Sequence, residues 1–308
     1  MEKVITIAHL QPHFRSKIAA FDLDHTLIKP NGGKTFPQDE NDYIFYNPLV
    51  LPKLQTLYNQ GFMILIITNQ SKLFKYQMID NVLSQINIPL VCIIGNKEIR
   101  KPQKELFDYL FTIFPTKNSN DINLEKSFFV GDAAGELGDF SNTDKLFAQN
   151  IGFKFIPTNL FFRKDYVKSQ ERELIIMVGF PASGKSTYAK LILDNHPNDY
   201  EIISGDELKT QPKIIKKIKE FIKNNNKNII VDATHISKSK REPLINLATE
   251  NNLKPIIIFS QTSFDKSMAH NELRNKDQKV PKIAYYKLRK SYEEPDLEEE
   301  AVIYYIGL

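Results

Sequence analysis

The segment Leu174–Leu193 reads LIIMVGFPASGKSTYAKLIL, and it narrows the fold more than any other stretch. An apolar run ends at a glycine, a short loop follows, and helical spacing begins at Gly-Lys-Ser. Gly179 and Gly184 let backbone N–H groups close around an anion, and the helix amino terminus adds partial positive charge. Pro181, Ala182, Ser183 and Thr187 complete the loop. Lys185 is spaced to reach the β and γ phosphates of ATP, and Ser186 to ligate Mg²⁺. The segment is therefore expected to be strand, loop and helix on a parallel sheet.

The same alternation of short apolar runs and helical stretches continues through the chain, the signature of parallel α/β architecture. The first half predicts strands at Ile18–Phe21, Phe62–Thr68, Leu90–Ile94 and Ser127–Val130, and helices at Leu49–Asn59 and Lys104–Phe114. The second predicts strands at Leu174–Val178, Glu201–Ile203, Asn228–Val231 and Pro255–Phe259. Its helices are expected at Lys185–Leu193, Pro212–Lys223, Lys240–Asn251 and Ser263–Lys276. The polar stretch Arg163–Arg172 lacks apolar periodicity and is the expected joint. It gives domains 1–168 and 169–308. The acidic EEPDLEEE, Glu293–Glu300, reads as a solvated loop and helix start before an apolar VIYYIGL that must pack.

A length of 308 residues suits two ordinary domains, and 42% hydrophobic content suffices for two cores. The formal net charge of +4 fits an anionic partner without requiring one. The one cysteine, Cys92, excludes an intrachain disulfide and points to a reducing, intracellular setting. It lies in LVCIIG and reads as a small core residue. No run approaches the length of a membrane span, and the amino terminus lacks a secretory pattern. KIIKKIKEFIK, Lys213–Lys223, has apolar helical spacing and reads as an amphipathic surface helix rather than an import signal.

A second set of residues carries chemistry. Asp22 and Asp24 follow an apolar run, one residue apart, in FDLDHTL. Alternation along extended chain aims both carboxylates into the crevice at the carboxyl end of a sheet. One can attack phosphorus while the other handles a proton. Asp132 follows another strand in FFVGDAAG, giving an oxygen-lined site for Mg²⁺. Thr68 offers a hydroxyl at the same edge, and Lys101, in IRKPQ, a cation. Singly, each has a plain structural reading, since an Asp after a strand often caps a helix. In the P-loop half, Asp206 ends EIISGD as a candidate base, and Asp232 closes NIIVD as a candidate Walker-B acid. Arg241 and Arg274 could clamp transferring phosphate, or be surface charge.

The ordered set DLDHT, TNQ, RKP and GDAAG resembles the haloacid dehalogenase superfamily of phosphatases. With DFSNTDKLFAQNIG it looks like the 3′-phosphatase half of the polynucleotide kinase/3′-phosphatase family. GFPASGKST, the strand-GD pair, VDATH, and AHNELR followed by YYKLRKSYEEP are similar to that family's 5′-kinase half. The resemblance implies a haloacid dehalogenase-like, Rossmannoid domain followed by a P-loop domain, without the family's forkhead-associated domain. It implies Asp22 as nucleophile, Asp24 as general acid and base, Thr68 and Lys101 on the phosphate, and Mg²⁺ held by Asp22, Asp24 and Asp132. Asp139 and Asp144 match further acids. In the kinase half it implies Asp206 as base, Arg274 as a lid arginine on ATP, and Lys209 or Arg241 near substrate phosphates. The implied substrate is nucleic acid with 3′-phosphate and 5′-hydroxyl termini, DNA favoured over RNA, handled by a monomer away from membranes.

Four positions depart from the family pattern: His25 for Gly, Glu136 for Arg, Gly205 for Arg, and Ala233 for Asn. His25 keeps open an alternative, a phosphoprotein or small-metabolite phosphatase fused to a metabolite kinase. A catalytically dead nucleic-acid-binding adaptor would have lost acids or a broken P-loop; neither is seen here.

Overall fold

The computed structural model describes residues 4–307. The chain forms two compact units, Met1–Phe162 and Arg163–Leu308. In the first the strands are β1 (Ile5–His9), β2 (Ile18–Phe21), the short β3 (Ile28–Lys29) and β4 (Ile44–Phe45), then β5 (Met63–Asn69), β6 (Leu90–Gly95), β7 (Phe128–Gly131) and β8 (Lys154–Pro157). β3 and β4 pair as a separate antiparallel ribbon, while the other six form one sheet in the order β1-β6-β5-β2-β7-β8. All its pairs are parallel except β1 with β6.

The central strands β2 and β6 are buried along their whole length because helices cover both faces. Successive residues of β2 therefore serve different cores. Ala19 and Phe21 pack with Leu54, Met78 and Val82, and Ile18 and Ala20 with Leu106, Phe129 and Phe147. The helices of the first core, Val50–Asn59 and Leu73–Gln85, lie on one face. Thr143–Ile151 lies on the other. The expected helix Lys104–Phe114 is instead two single turns, Glu105–Asp108 and Leu110–Ile113, joined at Tyr109.

In the second unit β9 (Glu173–Val178), β10 (Tyr200–Ser204), β11 (Asn228–Asp232), β12 (Lys254–Ser260) and β13 (Val302–Ile306) form an all-parallel sheet, ordered β10-β11-β9-β12-β13. The apolar VIYYI thus packs by joining the sheet edge beside β12. The acidic run before it forms no helix, and its Glu299 turns inward.

The units divide six residues before the expected boundary, at Phe162 and Arg163. Backbone bonds between Lys164 and Tyr305, at 2.8 and 3.1 Å, tie this stretch to β13. The Tyr166 hydroxyl donates to Glu173 at the start of β9. The stretch is polar, yet its contacts run to the second sheet, and Tyr166 packs against that unit's core.

Candidate active sites

The first site sits at the carboxyl ends of β2, β5 and β7. β2 ends buried at Phe21, and the Asp22 amide donates to Val130 O of β7 at 2.9 Å, which fixes where Asp22 enters. Lys101 Nζ lies 2.5 Å from Asp22 Oδ1 and 2.6 Å from Asp144 Oδ1. All three side chains are buried. Burial disfavours the Lys101 ammonium, but Asp144 and Asp22 together raise its pKa above the ordinary lysine value. Burial pushes Asp22 up to about 7 against the pull of Lys101, with Asp144 and Asp24 adding repulsion. Asp132 is raised too, by burial and then by Asp22 and Asp144.

Asp22, Asp132 and Asp144 each bring a carboxylate oxygen within 4.8 Å of the others. Three hard anionic donors against one ammonium leave roughly two uncompensated negative charges, a donor set that fits a dication such as Mg²⁺. Asp144 can come this close because residue 131 is glycine: a Cβ there would lie 2.4 Å from Asp144 Oδ2. Asp24 is not in the carboxylate group. Its Oδ2 accepts from Gln70 at 2.6 Å and its Oδ1 from Lys75 at 2.5 Å. As a side-chain metal ligand Asp24 is therefore corrected: two donors hold its carboxylate away from the cluster. Gln70 also donates to Thr68 Oγ1 at 2.8 Å, linking the hydroxyl to the acid.

Asn69 accepts from the Lys101 amide at 2.9 Å and donates to its carbonyl at 3.2 Å, so it positions the lysine. Asp139 accepts from the Glu136 amide at 2.9 Å and shapes the turn after GDAAG. His25 adopts φ +58°, in the left-handed region where glycine is favoured. Its Nε2–H donates to Thr35 O at 2.9 Å, and burial lowers its pKa, so it is a neutral clamp on the 31–42 loop.

Lys75 escaped the sequence reading, although a signal existed. Lys75, Met78, Ile79 and Val82 follow i, i+3, i+4, i+7 on the buried face of one helix. A buried lysine in an apolar stripe needs a charged partner, and the half-buried Asp24 is that partner.

The second site forms where β9 runs into the helix Lys185–Asn195. Ala182 and Gly184 take φ of +58° and +87°, turning the loop so that it opens at the helix amino terminus. Ser260 and Thr262, at the end of β12, donate to Ser183 O at 2.7 and 3.1 Å. The buried Tyr285 hydroxyl donates to Pro181 O at 2.7 Å. These contacts hold the loop in shape from behind. Lys185 Nζ donates to Phe180 O at 2.6 Å. Burial lowers its pKa to about 8, with Asp232, Arg274 and Asp206 all within electrostatic reach. Burial raises Asp232, and the neighbouring Ser186 side chain pulls it the other way.

Asp206 is exposed, on the turn Gly205–Leu208 that leaves β10, and Lys209 closes this turn at φ +62°, also exposed. A Cβ at Gly205 would meet Ala233 Cβ at 2.5 Å, so the two departures at 205 and 233 are one steric fit. Arg241 is corrected. It is fully buried and grips Glu299 with Nε at 2.7 Å and Nη2 at 2.5 Å, while Nη1 donates to Glu293 O at 2.9 Å and His235 O at 3.1 Å. With every nitrogen engaged inside the unit, it ties the acidic run to the VDATH loop and touches no substrate.

Fold and sites together define a two-unit α/β phosphoryl-handling protein, carboxylate-lined in one unit and P-loop-based in the other. The family model described as Polynucleotide kinase 3 phosphatase matches residues 17–162, and an AAA domain model matches 174–295. A bifunctional polynucleotide phosphatase/kinase of Schizosaccharomyces pombe is 31% identical over 322 residues, 92% of this chain and 77% of that protein. The Arabidopsis thaliana polynucleotide 3′-phosphatase ZDP is 29% identical over 170 residues, 47% of this chain and 24% of that protein. The chain belongs to the bifunctional polynucleotide phosphatase/kinase family.

Proposed function

We propose that the chain heals broken nucleic-acid ends, removing a 3′-phosphate in its first unit and phosphorylating a 5′-hydroxyl from ATP in its second. One observation carries this reading: in a chain of this family, Lys101 clamps the Asp22 and Asp144 members of an assembled acid cluster, and a formed P-loop has Asp206 within electrostatic reach of Lys185. Asp22 attacks phosphorus, the bond to the 3′ oxygen breaks, and Asp24 gives that oxygen its proton. Water then attacks the aspartyl-phosphate, Asp24 takes the proton back, and inorganic phosphate leaves. Thr68 and Lys101 hold the phosphate oxygens. Asp22, Asp132 and Asp144 are the residues to hold Mg²⁺, which when bound supplies positive charge that keeps Asp22 ionised and draws charge from the phosphate.

In the second unit Asp206 accepts the proton of the 5′-hydroxyl. Its oxygen bonds to the γ phosphorus, the bond to the β phosphate oxygen breaks, and ADP leaves. The P-loop amides and Lys185 cradle the phosphates, Arg274 steadies the transferring group, and Ser186 is the residue to hold Mg²⁺ there. Lys209 is the remaining candidate for substrate phosphate.

Phe36 and Phe140, 63% and 67% exposed, stand with ring centroids 5.9 Å apart. They lie on the loops that follow His25 and Asp132, and such rings suit a nucleobase. This favours nucleic acid over a phosphopeptide or sugar phosphate, since His25, the support for those, is occupied by Thr35. DNA as the preferred substrate, a monomeric state and an intracellular, reducing location belong to the same proposal. A nicked duplex with 3′-phosphate and 5′-hydroxyl termini, in DNA and RNA versions, tests it. Both ends should convert, DNA faster, in the presence of ATP and Mg²⁺. Folded protein that consumes ATP and leaves both termini unchanged would overturn it.

A further inference from the structure

The helix Gln211–Asn224 begins at the turn that carries Asp206. Its inner side is used up: Ile214 and Ile218 are buried in the unit's core. Its outer side is lysine. Lys213, Lys216, Lys217, Lys219 and Lys223 are exposed, and Glu220 is the acid among them. Of the five, Lys216 has an acidic partner among the described residues, Glu220 at 3.9 Å. Lys216, Lys219 and Lys223 follow i, i+3, i+7 and so make one stripe along the axis. They rise by roughly 4.5 and 6 Å between steps, a spacing that successive backbone phosphates can match. The stripe shares this open helix face with Pro212 and Ile215, which add apolar surface beside it, and with Glu220. Apolar side chains beside lysines suit the bases and phosphates of a single strand.

We infer that this face is a track for the acceptor strand: the sugar–phosphate backbone behind the 5′-hydroxyl runs from Asp206 along Lys216, Lys219 and Lys223. The inference rests on the proposed kinase reading and adds where the polymer lies. An anionic membrane is a poorer occupant, because the apolar residues a membrane-bound helix inserts are already buried here.

The test combines Lys216→Glu, Lys219→Glu and Lys223→Glu, beside the milder triple Gln variant. The substrates are a 5′-hydroxyl dodecamer and a 5′-hydroxyl dinucleotide. The KM for the dodecamer should rise by about tenfold or more in the Glu triple, and less in the Gln triple. The slope of log KM against log salt should fall by roughly 2, at about 0.7 per lost single-strand phosphate contact. The dinucleotide KM, the ATP KM, kcat and 3′-phosphatase activity should stay put, because the stripe touches none of those groups. An unchanged dodecamer KM with an active wild type overturns the track alone. An equal rise for the dinucleotide overturns it too, since the harm then lies at the site. So does unchanged oligonucleotide kinetics with lost binding to phosphatidylserine vesicles. Wild type that phosphorylates neither oligonucleotide overturns both the track and the kinase reading.

Discussion

Lys101 and Lys185 are both buried at phosphate sites, yet their surroundings shift them in opposite directions. Lys101 lies between two carboxylates of its own unit, so its charge is balanced before any ligand arrives. Among the described residues Lys185 Nζ bonds to a carbonyl oxygen, that of Phe180, and burial makes its charge costly. One site pairs its lysine inside a fixed acid cluster that keeps an excess of negative charge. The other leaves its lysine on a carbonyl oxygen, with Asp232 and Asp206 in electrostatic reach, ready for a nucleotide's phosphates. The first arrangement suits a reaction in which the enzyme provides the nucleophile. The second suits one in which both reactants are brought in.

The sharpest test of that contrast is chemical. Asp22→Asn should cost more than about 10³-fold in 3′-phosphatase rate and leave the 5′-kinase rate unchanged, and Lys185→Ala should do the reverse. End-labelled termini followed on one nicked duplex would show it, and loss of both activities from one change would break the two-site picture.

Removing the lysines without removing the fold sharpens it further. Lys101→Met should destabilise its unit by roughly 3–5 kcal/mol, because Asp22 and Asp144 are left buried and unopposed. Lys185→Met, measured without nucleotide, should melt no lower than the parent. If the two variants lost stability equally, the contrast would be wrong.

Arg241→Ala should also cost roughly 3–5 kcal/mol through the stranded Glu299, whereas Lys209→Ala should spare stability and raise the acceptor KM by a few fold. Calorimetry beside steady-state kinetics separates these.

The last expected effect is in pH. His235 is buried, and burial lowers its pKa to about 4 from 6.5. The unfolded chain therefore takes up this proton first as pH falls, and stability present above pH 6.5 is lost toward pH 4. The window is worth about 3 kcal/mol. His235→Asn, which tolerates the φ of +33° at this position, should flatten the slope in denaturant titrations across it.

Much of this was legible in the chain. Apolar runs gave eight of the eleven strands in the two main sheets to within a residue or two, since buried parallel strands need continuous apolar sequence. The P-loop was legible because strand, loop and helix follow one another locally, and Asp22, Thr68 and Asp132 because strand ends carry them to one edge of the first sheet. Less legible were β1, β8 and β13, edge strands that are only partly buried, and the helix Leu73–Gln85 with its inward Lys75.

What the sequence alone determined is the set of groups and the order of the two units, because local spacing dictates strand, loop and helix. Tertiary structure alone decided their partners. Arg241 looked like a phosphate clamp until folding placed Glu299, 58 residues away, against it. Asp24 looked like a metal ligand until Gln70 and Lys75 took both of its oxygens. A charged side chain's role depends on which opposite charge shares its low-dielectric pocket, and residues distant in sequence settle that only when the chain closes around them.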